Sequence, residues 1–277
     1  MSNFIQPLQQ QASLLMQQGR VKEAIIAHQN LLKHQPNNVT TLFNLGYLLK
    51  TDSQFQASLD AYAKALALGI SQPEEVHLNR AVIFSDHLRR DADAERELQR
   101  ALMLAPNYSP ALLNLGNLYE EQGRREQAID CYQRILRLAR DAVDQQQSIY
   151  QSALARMTQL CPPKSSSDPL LQQLQMAANT AKSDEDRANL FYTLGRAFDS
   201  LGNYDAAFDA FSQANQSVKR SGPTYDRYKT EQTIDALMAA FPSHLSAEDQ
   251  LNTETQGSPL FICGMFRSGS TLVEQIL

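Results

Sequence analysis

The sequence predicts an all-α fold, a superhelix of stacked helical hairpins, and three observations support this prediction. A pattern of glycine, alanine and ring-bearing residues returns about every 34 residues along much of the chain. Within each period, apolar residues recur at the three- and four-residue spacing of amphipathic helices. Small residues also occupy matching places in the two helices of a period, which lets those helices approach closely.

The repeat is clearest in three stretches: GRVKEAIIAHQNLLKHQPNN (19–38), GRREQAIDCYQRILRLARDA (123–142) and GNYDAAFDAFSQANQSVKRS (202–221). Each opens with glycine, has alanine five residues later and has a ring four residues after that alanine. The rings are those of His28, Tyr132 and Phe211. We expect His28, at this core-facing position, to be a packing residue. The predicted repeats are 5–38, 39–72, 75–108, 109–142 and 188–221, with two extra residues near Ser71–Pro73.

Glycines on the first helices are predicted to lie opposite small residues on the second helices, in the pairs Gly46–Ser58, Gly116–Ala128 and Gly195–Ala207. This pattern resembles the tetratricopeptide repeat, over roughly half to two-thirds of the chain. The resemblance implies a tetratricopeptide-repeat superhelix. It places four repeats in residues 1–142 and a fifth repeat with a following helix in residues 188–245.

The remaining segments interrupt the period. Residues 143–187 are predicted to form extra helices and a linker, because CPPKSSSDP (161–169) is rich in turn residues. Residues 246–258 are polar and rich in helix-breaking residues, which predicts a second linker. We expect a new domain to start at 259–277.

The final stretch, FICGMFRSGSTLVEQIL (261–277), begins with a short apolar run that predicts a buried strand. A glycine-bearing loop and the start of a helix follow, an arrangement that binds phosphate through backbone N–H groups. An ATP-binding loop would have lysine where this chain has Ser270. The loop's cation is Arg267, which favours one phosphate joined to a second anion. ATP binding and a chance glycine turn remain the alternatives.

The stretch PLFICGMFRSGSTLVEQIL (259–277) resembles the 5′-phosphosulfate-binding loop of sulfotransferases, which use 3′-phosphoadenosine 5′-phosphosulfate. It looks most like bacterial sulfotransferases that carry tetratricopeptide repeats and are related to tyrosylprotein sulfotransferases. That family usually reads P-R-S-G-T-T-L here, and Phe266 replaces the proline. The resemblance implies that Arg267 is catalytic and contacts the bridging oxygen and the sulfuryl group. It also implies a 5′-phosphate site formed by Ser268, Gly269, Ser270 and Thr271.

The resemblance further implies sulfuryl transfer to a protein or small-molecule acceptor, with no metal. The general base and the 3′-phosphate site of that family lie beyond the loop, so we expect this chain to be catalytically incomplete. The acceptor is not identified by the sequence.

The alternative function is a peptide-binding scaffold without catalysis. Stacked first helices line a concave groove that suits extended or helical peptides. Asn44 and Asn114 occupy the same place in the second and fourth repeats, and Asn117 lies one turn further on. Their amides are candidates to hydrogen-bond a peptide backbone, and ordinary solvated side chains are the competing interpretation.

The composition limits which binding partners and which cellular compartment we expect for this chain. A net charge of −5 provides no wide basic face, which argues against nucleic acid as the main partner. The three cysteines, Cys131, Cys161 and Cys263, form no C-x-x-C pair, which argues against a disulfide framework and a zinc site. The stretch MSNFIQPLQQQASLL lacks the features of a signal peptide or a membrane anchor. We therefore expect a cytoplasmic protein with a protein or peptide partner and no membrane partner.

Overall fold

The structure, a computed structural model, describes residues 2–138, 147–222 and 226–240. Within these ranges the chain is helical, with short turns and no strand. The chain divides into two compact units, residues 1–223 and 224–277. The strand, loop and helix predicted for 259–277, and the linker predicted for 246–258, lie outside the described residues.

The described part of the first unit contains twelve α-helices. They are α1 (Ser2–Gln17), α2 (Val21–His34), α3 (Val39–Thr51), α4 (Phe55–Ala67), α5 (Pro73–Val82), α6 (Asp91–Leu104), α7 (Ser109–Glu121), α8 (Arg125–Leu138), α9 (Gln147–Leu160), α10 (Pro169–Thr180), α11 (Asp184–Ser200) and α12 (Tyr204–Ser221). The second unit contributes one described helix, α13 (Arg227–Ala240). The division into repeats, linkers and domains made from the sequence stays a prediction.

Neighbouring helices pack as hairpins, and the hairpins stack on one another. The most extensive packing joins α3 to α4, α5 to α6, α7 to α8 and α11 to α12. Further contacts join α2 to α3, α6 to α7 and α8 to α9, so each hairpin covers the apolar side of the next. The prediction of an all-helical superhelix of hairpins is confirmed for the described part of the chain.

Each of five hairpin turns contains a residue with positive φ at the same place. Three are glycines, Gly19, Gly123 and Gly202, with φ between 68° and 75°. The other two are Ser53, with φ 60°, and Arg89, with φ 54°. Because a side chain disfavours this left-handed conformation, the turns at Ser53 and Arg89 carry strain that the glycine turns avoid.

The rings of the second helices lie directly against glycines of the first helices. A Cβ atom built on Gly116 would stand 2.6 Å from Cε1 of the buried Tyr132. The predicted approach of small residues is seen directly in the second repeat, where the Ser58 hydroxyl donates to the Gly46 carbonyl oxygen at 2.6 Å. The glycine–ring pairs are Gly46–Tyr62, Gly116–Tyr132 and Gly195–Phe211.

The third hairpin departs from the others. Helix α5 continues into a π-helical turn, Ile83–His87, in which the Leu88 amide donates to the Ile83 carbonyl oxygen at 3.1 Å. Val82 and Leu98 stand at the repeat positions that hold glycine and a ring elsewhere. This repeat therefore lacks the glycine–ring pair of its neighbours and contains a π-helical turn, and its sequence also matches the period least well.

Helices α9 and α10 lie between the fourth and fifth hairpins, outside the 34-residue period. Helix α10 begins after Asp168, whose carboxylate accepts a hydrogen bond from the Leu170 amide at 3.0 Å. Helix α11 begins after Ser183, whose hydroxyl oxygen accepts from the Asp186 amide at 3.0 Å. These caps satisfy free N–H groups at each helix start and fix where α11 enters the stack.

Candidate functional site

A cavity of about 470 Å³ lies between α7, α9 and α11 in the first unit. Its lining combines amide, hydroxyl and charged side chains with a few aliphatic ones, so the cavity offers several hydrogen-bonding groups. The polar lining includes Asn117 from α7, Gln151 and Arg156 from α9, and Asp186, Asn189, Thr193 and Arg196 from α11.

One end of the cavity is fixed where α9 and α11 begin. The Ser148 hydroxyl, near the start of α9, donates to Oδ1 of Asp186 at 3.1 Å. The Ser183 hydroxyl donates to Oδ2 of the same carboxylate at 2.8 Å. The carboxylate thus ties the two helix starts together, and both helices run from this end of the cavity toward the other.

The opposite end of the cavity is basic. Arg156 is near the end of α9, and its Nη1 lies 3.4 Å from Oε1 of Glu120. Arg196 is on the last turns of α11 and is exposed to solvent. Among the residues that the structure describes, no acidic side chain forms an ion pair with Arg196. The Arg196 guanidinium is therefore available to a ligand.

The floor of the cavity is held by buried polar side chains. Gln151 is 3% exposed, and its Nε2 donates to the Ala177 carbonyl oxygen at 3.4 Å. Thr193 is also 3% exposed, and its hydroxyl donates to the Asn189 carbonyl oxygen at 2.9 Å. Both buried polar side chains therefore have hydrogen-bond partners on the backbone.

Asn117 is positioned by a tyrosine of the next helix. The Tyr132 hydroxyl lies 2.8 Å from Oδ1 of Asn117 and 3.0 Å from Oε2 of Glu120. Burial raises the pKa of Tyr132 above its usual range, and the nearby Glu120 carboxylate raises it further. The hydroxyl therefore stays protonated, with both acceptors within hydrogen-bond distance of its single proton, and it lies beside Asn117 at the cavity wall.

The other two predicted groove asparagines lie elsewhere on the first helices. Asn44 is half-buried on α3 and does not line the cavity. Asn114 is half-buried on α7, and its Nδ2 donates to the Pro110 carbonyl oxygen at 2.9 Å within its own helix. Arg267, Ser268, Gly269, Ser270 and Thr271 lie outside the described residues.

A buried ionic cluster in the third repeat has no counterpart in the sequence analysis. Glu97 is 4% exposed and accepts hydrogen bonds from Nδ1 of His77 at 2.7 Å and Nε of Arg80 at 3.0 Å. Nη1 of Arg100 lies 3.0 Å from its other oxygen. The repeat alignment does contain an indication of this cluster, namely a charged residue at a position that is uncharged in the other repeats. Glu97 stands where they have Ala27, Ala61, Cys131 and Ala210.

The described residues give no sign of a metal centre or a membrane span. In ranges 2–138, 147–222 and 226–240, no three or more His, Cys, Asp or Glu side chains are grouped so as to hold a metal ion. None of the described helices is both long enough and apolar enough to cross a bilayer. The cytoplasmic location stays a prediction.

Comparison with protein families identifies the repeats. Family profiles described as tetratricopeptide repeat match residues 10–73, 109–141 and 188–216. A protein of Aquifex aeolicus (strain VF5), described as uncharacterized, is 30% identical over 115 residues. The matched region is 40% of this chain and 14% of the Aquifex protein, so the chain spans a small part of that relative.

Solved structures show the same fold. Pseudomonas aeruginosa PilF matches with a TM-score of 0.59 and 20% identity, over 83% of this chain and 97% of that chain. PilW, described as a widely conserved type IV pilus biogenesis factor, matches with a TM-score of 0.55 and 19% identity, over 82% and 98%. A tetratricopeptide repeat protein from Parabacteroides merdae matches with a TM-score of 0.50 and 16% identity, over 84% and 98%.

These comparisons correct the functional prediction made from the sequence. The prediction of a sulfotransferase that transfers sulfuryl from 3′-phosphoadenosine 5′-phosphosulfate was wrong, as was the prediction that the chain is an enzyme. The matching family profiles describe tetratricopeptide repeats, and the similar structures reported above share the fold of the repeats. The resemblance in 259–277 rested on a loop of a few residues, whereas the repeats extend over most of the described chain. The chain contains tetratricopeptide repeats, and its described helices form a tetratricopeptide-repeat superhelix.

Proposed function

We propose that this chain is a scaffold that binds a peptide segment of a partner protein in the cavity between α7, α9 and α11. The observation that carries the proposal is that Asn117 and the exposed Arg196 line the same polar cavity. Superhelices of helical hairpins present concave surfaces of this kind to extended or helical peptides. The repeats supply the rigid frame, and the side chains of the cavity supply the contacts.

The cavity offers hydrogen-bonding groups suited to a peptide backbone. Asn117 and Asn189 line it with amide side chains, each able to donate and accept. A peptide backbone has alternating donors and acceptors, which amide side chains can pair with regardless of the peptide sequence. Asn44 on α3 and Asn114 on α7 are proposed as weaker contributors outside the cavity, because they occupy equivalent repeat positions on first helices.

Selection from a displayed random-peptide library, followed by isothermal titration of the enriched peptides, tests the proposal. We expect Asn117→Ala to weaken binding of an enriched peptide by about tenfold, the effect of losing one or two hydrogen bonds. Asn114→Ala is the matched control on the same helix, and its effect should be smaller because its Nδ2 bonds its own helix. Equal binding by the Asn117 variant and the parent would count against this cavity as the site.

A partner captured independently of peptide selection provides a second test. The double variant Asn44→Ala, Asn114→Ala should reduce capture modestly if the groove extends along α3 and α7. Unchanged capture by this variant, together with loss of capture by Asn117→Ala, would confine the site to the cavity between α7, α9 and α11.

A further inference from the structure

The cavity has opposite charges at its two ends, and the helix directions fix which end is which. Asp186 stands at the start of α11, and the Ser148 hydroxyl of α9 reaches it at 3.1 Å. Arg156 and Arg196 stand near the ends of the same two helices. All three charged residues line the cavity. The lining thus runs from an acidic end to a basic end along both helices.

The length of this gradient sets the size of the ligand. Arg196 follows Asp186 by ten residues on α11, a separation of about 15 Å at 1.5 Å per helical residue. An extended peptide advances about 3.3 Å per residue, so about four or five residues span the same distance. An extended peptide of about four or five residues that lies along the groove therefore reaches from Asp186 to Arg196. Its two end residues then lie beside the acidic end and the basic end of the cavity.

The groups at both ends retain capacity to bind a ligand. Arg196 is exposed and has no acidic partner among the described residues. The Asp186 carboxylate accepts two hydroxyl hydrogen bonds, which occupy about two of its roughly four acceptor positions. Arg156 is partly balanced by Glu120 at 3.4 Å, so Arg196 is the stronger determinant of the basic end.

We infer that the groove selects an extended segment of about five residues with an internal Asp or Glu at the Arg196 end and a Lys or Arg at the Asp186 end. This inference rests on the proposed function and specifies its partner class. The acidic side chain accepts charge-assisted hydrogen bonds from the guanidinium of Arg196. The opposite charges fix the direction of the bound peptide, because a reversed peptide would bring like charges together at both ends.

The competing role of Arg196 is structural. Cations near the end of a helix interact favourably with the partial negative charge of its last carbonyl groups. In that role, replacing Arg196 would lower the melting temperature and leave peptide preference unchanged, whereas the inferred role changes the preference at nearly constant stability.

The experiment uses the full chain and a displayed library of random nine-residue peptides, with enriched peptides made synthetically with amidated C-termini. We expect enriched peptides to carry an acidic and a basic residue three to five positions apart. Glu→Gln in the peptide should weaken binding about tenfold to the parent chain. The variant Arg196→Gln should show the same loss for the acidic peptide and little further loss for the Gln peptide, the signature of direct contact.

Two further variants complete the design. Arg196→Glu should shift the selected residue at that end from acidic to basic. Arg137→Gln is the matched control, because Arg137 is an exposed arginine on α8 that does not line the cavity.

The outcomes separate the two proposals. Peptides that lose affinity on Asn117→Ala but show no charge preference would overturn the inference and leave the proposed function standing. Binding that requires a free C-terminal carboxylate would overturn it as well. A library that yields no peptide sensitive to any cavity substitution would overturn the proposed function itself.

Discussion

Gly116 on α7 lies directly against the ring of Tyr132 on α8. A Cβ atom at position 116 would stand 2.6 Å from Cε1 of Tyr132 and 3.0 Å from its Cζ. Real Cβ atoms do not approach a ring carbon so closely, so the two helices pack at this distance only because residue 116 has no side chain. The same relationship holds between Gly46 and Tyr62.

Gly116→Ala is expected to destabilise the fold by about 1–3 kcal/mol, because Tyr132 is fully buried and has to shift within a packed core. Urea unfolding followed by circular dichroism measures this change. The control repeats the substitution in a Tyr132→Leu background, because the third repeat has a leucine, Leu98, at the position of the ring. There the ring is gone and alanine's better helix propensity should make the change neutral or stabilising by up to about 1 kcal/mol. A loss of equal size in both backgrounds would contradict the role of the ring.

Arg89→Gly is expected to stabilise the chain by about 1 kcal/mol. Arg89 holds φ at 54° in a turn where three other hairpins have glycine, and relief of this strain outweighs the extra freedom of the unfolded glycine. Ser53→Gly should act in the same direction. Arg89→Ala is the matched control and should bring no gain, since alanine keeps the strain. Equal melting temperatures for Arg89→Gly and Arg89→Ala would refute the assignment of strain.

Glu97→Ala is expected to destabilise the fold by about 3 kcal/mol. The substitution leaves the partly buried Arg80 guanidinium without the carboxylate it contacts, and such an unpaired charge is costly; His77 also loses its hydrogen-bond acceptor. Chemical denaturation at pH 7 measures the effect. Glu95→Ala is the comparison on the same helix, because Glu95 is also bonded to an arginine, Arg124, but is more exposed. A smaller loss for Glu97 than for Glu95 would contradict the importance of burial.

The same carboxylate predicts how stability depends on pH. Burial alone would raise the pKa of Glu97, but the hydrogen bonds and charges of His77 and Arg80 outweigh it and hold the pKa at about 2. Because the folded pKa lies below the unfolded value of about 4.3, this stabilisation is complete above about pH 4.3 and is lost as the pH falls toward 2. The free energy of unfolding of Glu97→Gln should therefore fall less steeply across that window. Parallel pH profiles for parent and variant would rule this out.

Tyr132→Phe separates peptide binding from folding at the cavity wall. The variant keeps the ring against Gly116 and removes the hydroxyl that contacts Asn117 and Glu120. We expect weaker peptide binding, by about threefold to tenfold, with a stability loss of only about 1 kcal/mol. Titration with an enriched peptide and thermal unfolding measure the two effects. Tyr119→Phe, on α7 but away from the cavity lining, is the control and should leave peptide affinity unchanged.

The repeat frame was predictable because its determinants are local and recur. Glycine at the turn and glycine or alanine at the helix contact lie at fixed spacings. The first allows the positive φ of the turn, and the second allows the close approach of the two helices. His28, predicted to be a packing residue, is 2% exposed, with a ring nitrogen 2.9 Å from the Ala24 carbonyl oxygen. Patterns of this kind can be read from one sequence because the same packing problem is solved repeatedly along the chain.

The cavity was not predictable in the same way. Arg156 and Gln151 lie on α9, a helix outside the period, and meet Arg196 only through the stacking of α11 on α9. Asn117 was identified because it lies one helical turn beyond Asn114, but nothing in the sequence indicates that Tyr132 contacts it. The ionic cluster around Glu97 depends equally on side chains 17 and 20 residues apart that meet only when α5 packs against α6.

The Glu97 cluster makes the third repeat poorly interchangeable with its neighbours. A chimera that replaced residues 75–108 with a copy of 109–142 would exchange Glu97 for cysteine, and with it His77 and Arg80 for alanine and asparagine. Changing Glu97 alone would leave the partly buried Arg80 without its carboxylate partner, so such a graft is best tolerated when all three side chains change together. Laboratory evolution of this scaffold should therefore exchange these three side chains as a block.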